Sequence, residues 1–136
     1  MNTKQAGFTL IEVMVVVVIM GITASLLAPQ YRRAVASGSV DNAIGSMRSI
    51  WDAQRAHLLE HGEYTDSMEV LEDEGWVDRI ALNHDKEYTY KLIGSAYSFV
   101  VEASRKSPVW NGTLSLDEEG EVAGWLEDDN GARVDP

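Results

Sequence analysis

From Phe8 to Tyr31 the chain carries one charged side chain, Glu12, and from Val13 to Pro29 it carries none. A helix over that run rises ~1.5 Å per residue and reaches roughly 36 Å, enough to cross a hydrocarbon core of about 30 Å. A carboxylate at the bilayer centre costs ~2.5–3.5 kcal/mol on insertion scales, and less near the end of the span, where Glu12 stands. An acid inside such a run is a pointer to function. Lys4 before the run fits a secretory signal, but the run is longer than an ordinary signal core. Ser25-Leu26-Leu27-Ala28 is also a poor small-x-small cleavage site.

Gly7-Phe8-Thr9-Leu10-Ile11-Glu12, with the apolar run behind it, resembles the leader site of the type IV pilins and pseudopilins. The resemblance covers residues 1 to about 35. It implies a leader peptide over 1–7 and a cut between Gly7 and Phe8 by a prepilin peptidase, followed by N-methylation of Phe8. It makes Glu12 the assembly residue, at the fifth mature position, and Gly21 and Pro29 the helix-melting positions. The implied life history starts as a single-pass precursor in the bacterial inner membrane and ends as an extracellular surface filament. The implied partners are copies of the chain in a helical homopolymer, the prepilin peptidase and an inner-membrane pilus assembly platform. A pseudopilin of a type II secretion system shares this N-terminus and is the alternative; it would be periplasmic. A membrane-tethered or secreted enzyme is the second alternative. It needs a constellation of site residues that the sequence does not supply, so the chain reads as a non-enzyme.

The domain plan has the transmembrane or filament-core helix at 8–29 and a globular head at 30–126. The head divides into an amphipathic helix 30–61, a connecting segment 62–85 and an antiparallel sheet 86–126. An acidic tail, 127–136, follows. One long helix is expected over 8–61, weakest between Gly21 and Pro29. Gly costs ~1 kcal/mol relative to Ala in a helix, and Pro ~3 kcal/mol or more. Beyond Pro29, the spacing of Val40, Ile44, Met47, Trp51 and Leu58 predicts one buried stripe. Gly62 would cap this helix, and Asp66-Ser67-Met68-Glu69 has capping-box form ahead of a short helix over 67–73.

Alternation then predicts strands. Tyr88, Tyr90 and Leu92 share one face, and so do Tyr97, Phe99, Val101 and Ala103, with Gly94-Ser95 turning between the two runs. A loop from Ser104 to Asn111 leads to a second hairpin, Thr113–Leu116 and Glu121–Leu126. The expected fold class is α+β, pilin-like: a long N-terminal helix packed on a four-stranded antiparallel sheet. The aromatic side chains are assigned mainly to core packing. Small type IV pilins carry two cysteines around their last hairpin; this chain has no cysteine at all.

Net charge is −11, which opposes nucleic-acid binding through a basic field. His57-Leu58-Leu59-Glu60-His61 spells H-x-x-E-H, the inverted zinc-protease motif. Two histidines four apart can chelate a metal, but the catalytic motif also needs a third ligand and a cleft. The histidines are therefore read as surface residues. The acidic turn at Glu127-Asp128-Asp129-Asn130-Gly131 lacks a full calcium-loop pattern and is read as solvated. Asn111-Gly112-Thr113 is a formal glycosylation sequon. No phosphate loop or nucleophile motif occurs, and no catalytic residue, metal or cofactor is assigned.

Overall fold

The computed structural model describes residues 8–78, 82 and 86–136. The chain divides into two units, residues 1–35 and 36–136. Helix α1, Leu10–His61, contributes to both.

In the first unit α1 is apolar all round from Val13 to Pro29, with Arg32 and Arg33 following. Its large side chains from Phe8 to Val35 are 48–86% exposed. The polar groups inside the run are satisfied by the helix itself. Thr23 donates its hydroxyl to the Ile19 and Met20 carbonyls, and Ser25 donates to Ile22. This back-bonding gives a hydroxyl a partner where no water is needed. The helix runs unbroken through Gly21 and Pro29.

The second unit is an α+β head. Helix α2 spans Met68–Asp73, and five strands follow: β1 Tyr88–Gly94, β2 Phe99–Lys106, β3 Trp110–Asp117, β4 Val122–Asp128 and β5 Arg133–Val134. They form one antiparallel meander in chain order. The fold class is as expected, with a fifth strand where four were predicted. The extra strand comes from the acidic tail. Val134 pairs with Leu126 and is buried, so the tail carries one apolar anchor among its charges.

Inward-facing residues align across the sheet in rows: Leu92, Val101, Leu116 and Val122 in one, Ala103, Leu114 and Gly124 in the next. Gly124 is forced by close approach. Its φ is +103°, and a Cβ there would strike the Thr113 carbonyl oxygen. Against this face α1 lays Ala36, Val40, Ala43, Met47, Ile50, Ala53, Gln54 and His57, all buried. The buried seam differs from the predicted stripe. Ile44, Trp51 and Leu58 are half-buried at its edge, while Ala43, Ile50 and His57 lie at its centre. Small alanines let a helix approach a sheet closely, and a stripe chosen by bulk passes over them.

Polar contacts fix the connections. Gln54 is fully buried, donates to the Thr65 carbonyl at 2.6 Å and accepts from the Thr65 N–H at 3.1 Å. It thus replaces a backbone partner for the loop after α1. Trp51 Nε1 donates to the Glu118 carbonyl, tying α1 to the β3–β4 turn. Gly62 follows α1 with a φ of +82°, and its N–H donates to the Leu58 carbonyl. The predicted capping box at α2 does not form: the N-cap is Ser67, and its side chain makes no cap hydrogen bond. Thr65 intervenes, its hydroxyl accepting from the Ser67 N–H.

The first hairpin turns on four residues, because Gly94 already pairs with Phe99 and Ser95 closes on Ser98. Tyr97 is therefore at the turn and 90% exposed, outside the predicted core row. Core packing of the aromatics holds for Tyr88, Phe99 and Trp110 and fails for Tyr31 and Tyr97. Trp76 and Trp125 are about half exposed.

Candidate functional site

The N-terminal end of α1 has a defined local geometry. Thr9 precedes the first helical residue, Leu10, and Glu12 sits three positions on. The Glu12 carboxylate accepts the Thr9 N–H at 3.0 Å and the Thr9 hydroxyl at 2.8 Å, while the Glu12 N–H donates back to that hydroxyl at 3.3 Å. This is a reciprocal capping box, two orphan donors satisfied by the T-x-x-E spacing. That spacing is plain in Thr9-Leu10-Ile11-Glu12, yet the capping box was expected at α2 instead. The acid also lies at the positive end of the helix dipole, where a negative charge is favoured.

The predicted site residues fall as follows. Gly7 lies outside the described residues. Phe8 is 86% exposed and precedes the helix. The helix starts at Leu10 because Thr9 takes the cap, so Phe8 stands outside the first turn that carries Glu12. Gly21 and Pro29 are within α1, and a Cβ at Gly21 would meet nothing within 4 Å. By length and composition α1 is able to cross a membrane, and none of its most apolar window is buried in the chain. Chemically the segment offers an apolar cylinder with a single acid at one end. Such a surface is stable when lipid or other apolar helices cover it.

A second cluster was missed. His57 Nδ1 lies 2.8 Å from one Glu74 carboxylate oxygen, and His61 Nε2 lies 2.9 Å from the other. Hydrogen bonding from His57, opposed by partial desolvation and helped by both imidazoles, holds the Glu74 carboxyl below the usual carboxylate range. The H-x-x-E-H spelling points to Glu60, which has no part in this cluster; the acid that meets the histidines comes from the end of α2. The acidic turn near the C-terminus is an ordinary hairpin loop in its bonding. Asp128 accepts the N–H groups of Asn130 and Ala132.

Comparison with known proteins adds a second line. The family described as Prokaryotic N-terminal methylation motif matches residues 2–28. A fimbrial protein of Pseudomonas aeruginosa is 32% identical over 129 residues, covering 79% of this chain and 84% of that protein. A fimbrial protein of Neisseria meningitidis serogroup B is 42% identical over 64 residues, 47% of this chain and 38% of that protein. The type II secretion system core protein G of Pseudomonas aeruginosa is 41% identical over 69 residues, 51% of this chain and 49% of that protein. The match thus spans well under half of the meningococcal relative. These relatives carry the names of structural proteins and not of enzymes. No solved structure matches the chain at a significant level.

Proposed function

Because the chain belongs to the type IV pilin family, in the broad sense that includes pseudopilins, we propose that it is the structural subunit of a type IV pilus-like filament. The observation that carries this reading is the first half of α1: apolar on every side from Val13 to Pro29, exposed throughout, and lying mostly within the match to the N-terminal methylation motif at residues 2–28. Residues 1–7 are removed by a prepilin peptidase between Gly7 and Phe8, and Phe8 is N-methylated. Residues 8–29 hold the precursor in the inner membrane and then pack as the core of a surface filament. Residues 30–126 form the head, and β5 of the tail completes its sheet. Gly21 and Pro29 mark the stretch that unwinds on packing. It is continuous helix in the free chain, where Pro29 already deprives the Ser25 carbonyl of its usual N–H partner.

Glu12 has two tasks in this scheme. In the free subunit it caps its own helix. In the filament it meets the amine that cleavage creates on Phe8 of a neighbouring copy. An unpaired charge among apolar side chains is strongly disfavoured, and breaking a buried pair costs ~3–5 kcal/mol. Glu12→Val is expected to leave insertion and cleavage intact and to remove filaments, read by imaging and by shearing at equal protein levels. Glu12→Gln separates the two tasks, since an amide oxygen still caps but carries no charge. Filaments at wild-type numbers from Glu12→Val would overturn the assembly role; filaments from Glu12→Gln alone would assign it to the cap. The first mature residue, read by mass spectrometry, should be a methylated Phe8. A start beyond Ala28 would defeat the whole reading.

The secretion-system relative supports a second reading, a periplasmic pseudopilin. Its match covers 51% of the chain, whereas the fimbrial relative from the same species covers 79%, including much of the head. The longer match favours the pilus subunit.

A further inference from the structure

We propose that His57, His61 and Glu74 form a binding site for a divalent transition metal, zinc by preference, that fastens the end of α1 to the end of α2. Each residue is set by its backbone. His57 and His61 are one turn apart on α1, with ring centroids 4.3 Å from each other. Glu74 is the C-cap of α2, held by its own N–H to the Val70 carbonyl. The turn beyond it is closed by Gly75 and Trp76 N–H groups on Glu72 and Leu71. The three candidate ligand atoms lie within 4.8 Å of one another.

A tetrahedral zinc with bonds of ~2.0–2.2 Å places its ligands roughly 3.3 Å apart. The present N···O separations of 2.8 and 2.9 Å must therefore open by about half an ångström. His61, with 43% of its side chain accessible, has room to make that adjustment, while His57, at 8%, stays as the fixed wall. The exposed side is left for a water as fourth ligand. Two imidazoles and one carboxylate select zinc, nickel or copper over calcium and magnesium, which favour all-oxygen sites.

Nothing catalytic follows from this geometry. The consequence is a cross-link: a chain with no cysteine gains a reversible staple between two helices. The alternative use of the same cluster is a plain ion pair, in which protons on the imidazoles stand where the metal would bind.

The test uses the untagged full-length chain in detergent micelles, stripped with a chelator and titrated with Zn²⁺ against a chromophoric competitor. The expected result is one zinc per chain. His61→Ala or Glu74→Gln should weaken binding by ~10-fold or more, since even outer-shell changes cost that much. Excess Ca²⁺ or Mg²⁺ should leave zinc binding unchanged. With zinc at about 100 times the wild-type Kd, the unfolding midpoint should rise by ~10 °C in the wild type and by about half that or less in His61→Ala. His61 is exposed, so its loss does not threaten folding, and circular dichroism verifies that. Folded wild-type chain that takes up no stoichiometric zinc would reduce the cluster to an ion pair and overturn the proposal. So would zinc affinity that is unchanged in both His61→Ala and Glu74→Gln.

Discussion

The two halves of α1 use the same apolar vocabulary and need different surroundings. From Leu10 to Val35 no large apolar residue is less than 48% exposed, whereas Val40, Met47 and Ile50 are at most 1% exposed. Hydrophobicity alone does not separate them. Arrangement does: the first half is apolar in every direction, the second along one seam. A seam is covered by one sheet within the same chain. A cylinder needs a medium on all sides, which a single chain of this size does not supply. One half is thus complete as it stands, and the other is complete only in lipid or among copies.

The strongest challenge to that contrast is to remove the first half. A chain beginning at Gln30 should be soluble, monomeric and cooperatively folded, because the buried residues of the core begin at Ala36. A disordered circular dichroism spectrum at neutral pH would mean that the second half is not self-sufficient. Matched truncations along α1 come next. Ile50→Ala should cost ~2–5 kcal/mol in denaturant unfolding of the head, as for other large-to-small core changes. Ile19→Ala should leave that transition within about 0.5 kcal/mol, and equal effects would erase the distinction.

Matched glycines sharpen it further. Gly124→Ala should destabilise by ~3 kcal/mol, from strain at positive φ and the clash with Thr113. Gly21→Ala meets nothing and should raise helix stability by up to ~1 kcal/mol. That gain would itself slow assembly if unwinding at 21–29 is required, a rate readable by filament regrowth. Last, Gln54→Leu should cost ~1–3 kcal/mol, the penalty of leaving both Thr65 backbone groups unpaired. A neutral result would mean that water replaces the amide.

What the sequence exposed and what it hid divide along physical lines. The apolar run and the alternating strands are periodic signals, and they placed the long helix and the first four strands with modest errors at the ends. The seam was displaced because Ala43 and Ala53 are small and because Gln54 and His57 are polar, yet all four are buried. Their burial depends on the approach distance of the sheet and on partners such as Thr65, neither visible along one helix. Arg105 joins the inward row beside Ala103 because Glu87 lies 3.0 Å away and the Tyr88 ring faces it. Sequence alone puts Arg105 in a loop from Ser104 to Asn111, whereas β2 runs on to Lys106 and carries it inward. At the candidate site, the cap between Thr9 and Glu12 was readable from spacing. The union of His57 and His61 with Glu74 was not, since it depends on how α2 returns against α1.

The strictly sequential sheet sets the timetable by which the head can form. Each strand pairs with the one synthesised just before it, across short turns. Loop closure over so few residues is entropically light, and local pairing favours fast folding. The α1 seam precedes all of them in the chain. As the chain is synthesised, every new strand finds its neighbour already made. A chain stalled after β2, β3 or β4 leaves one growing edge and no gap to be filled later. The order of emergence and the order of pairing coincide.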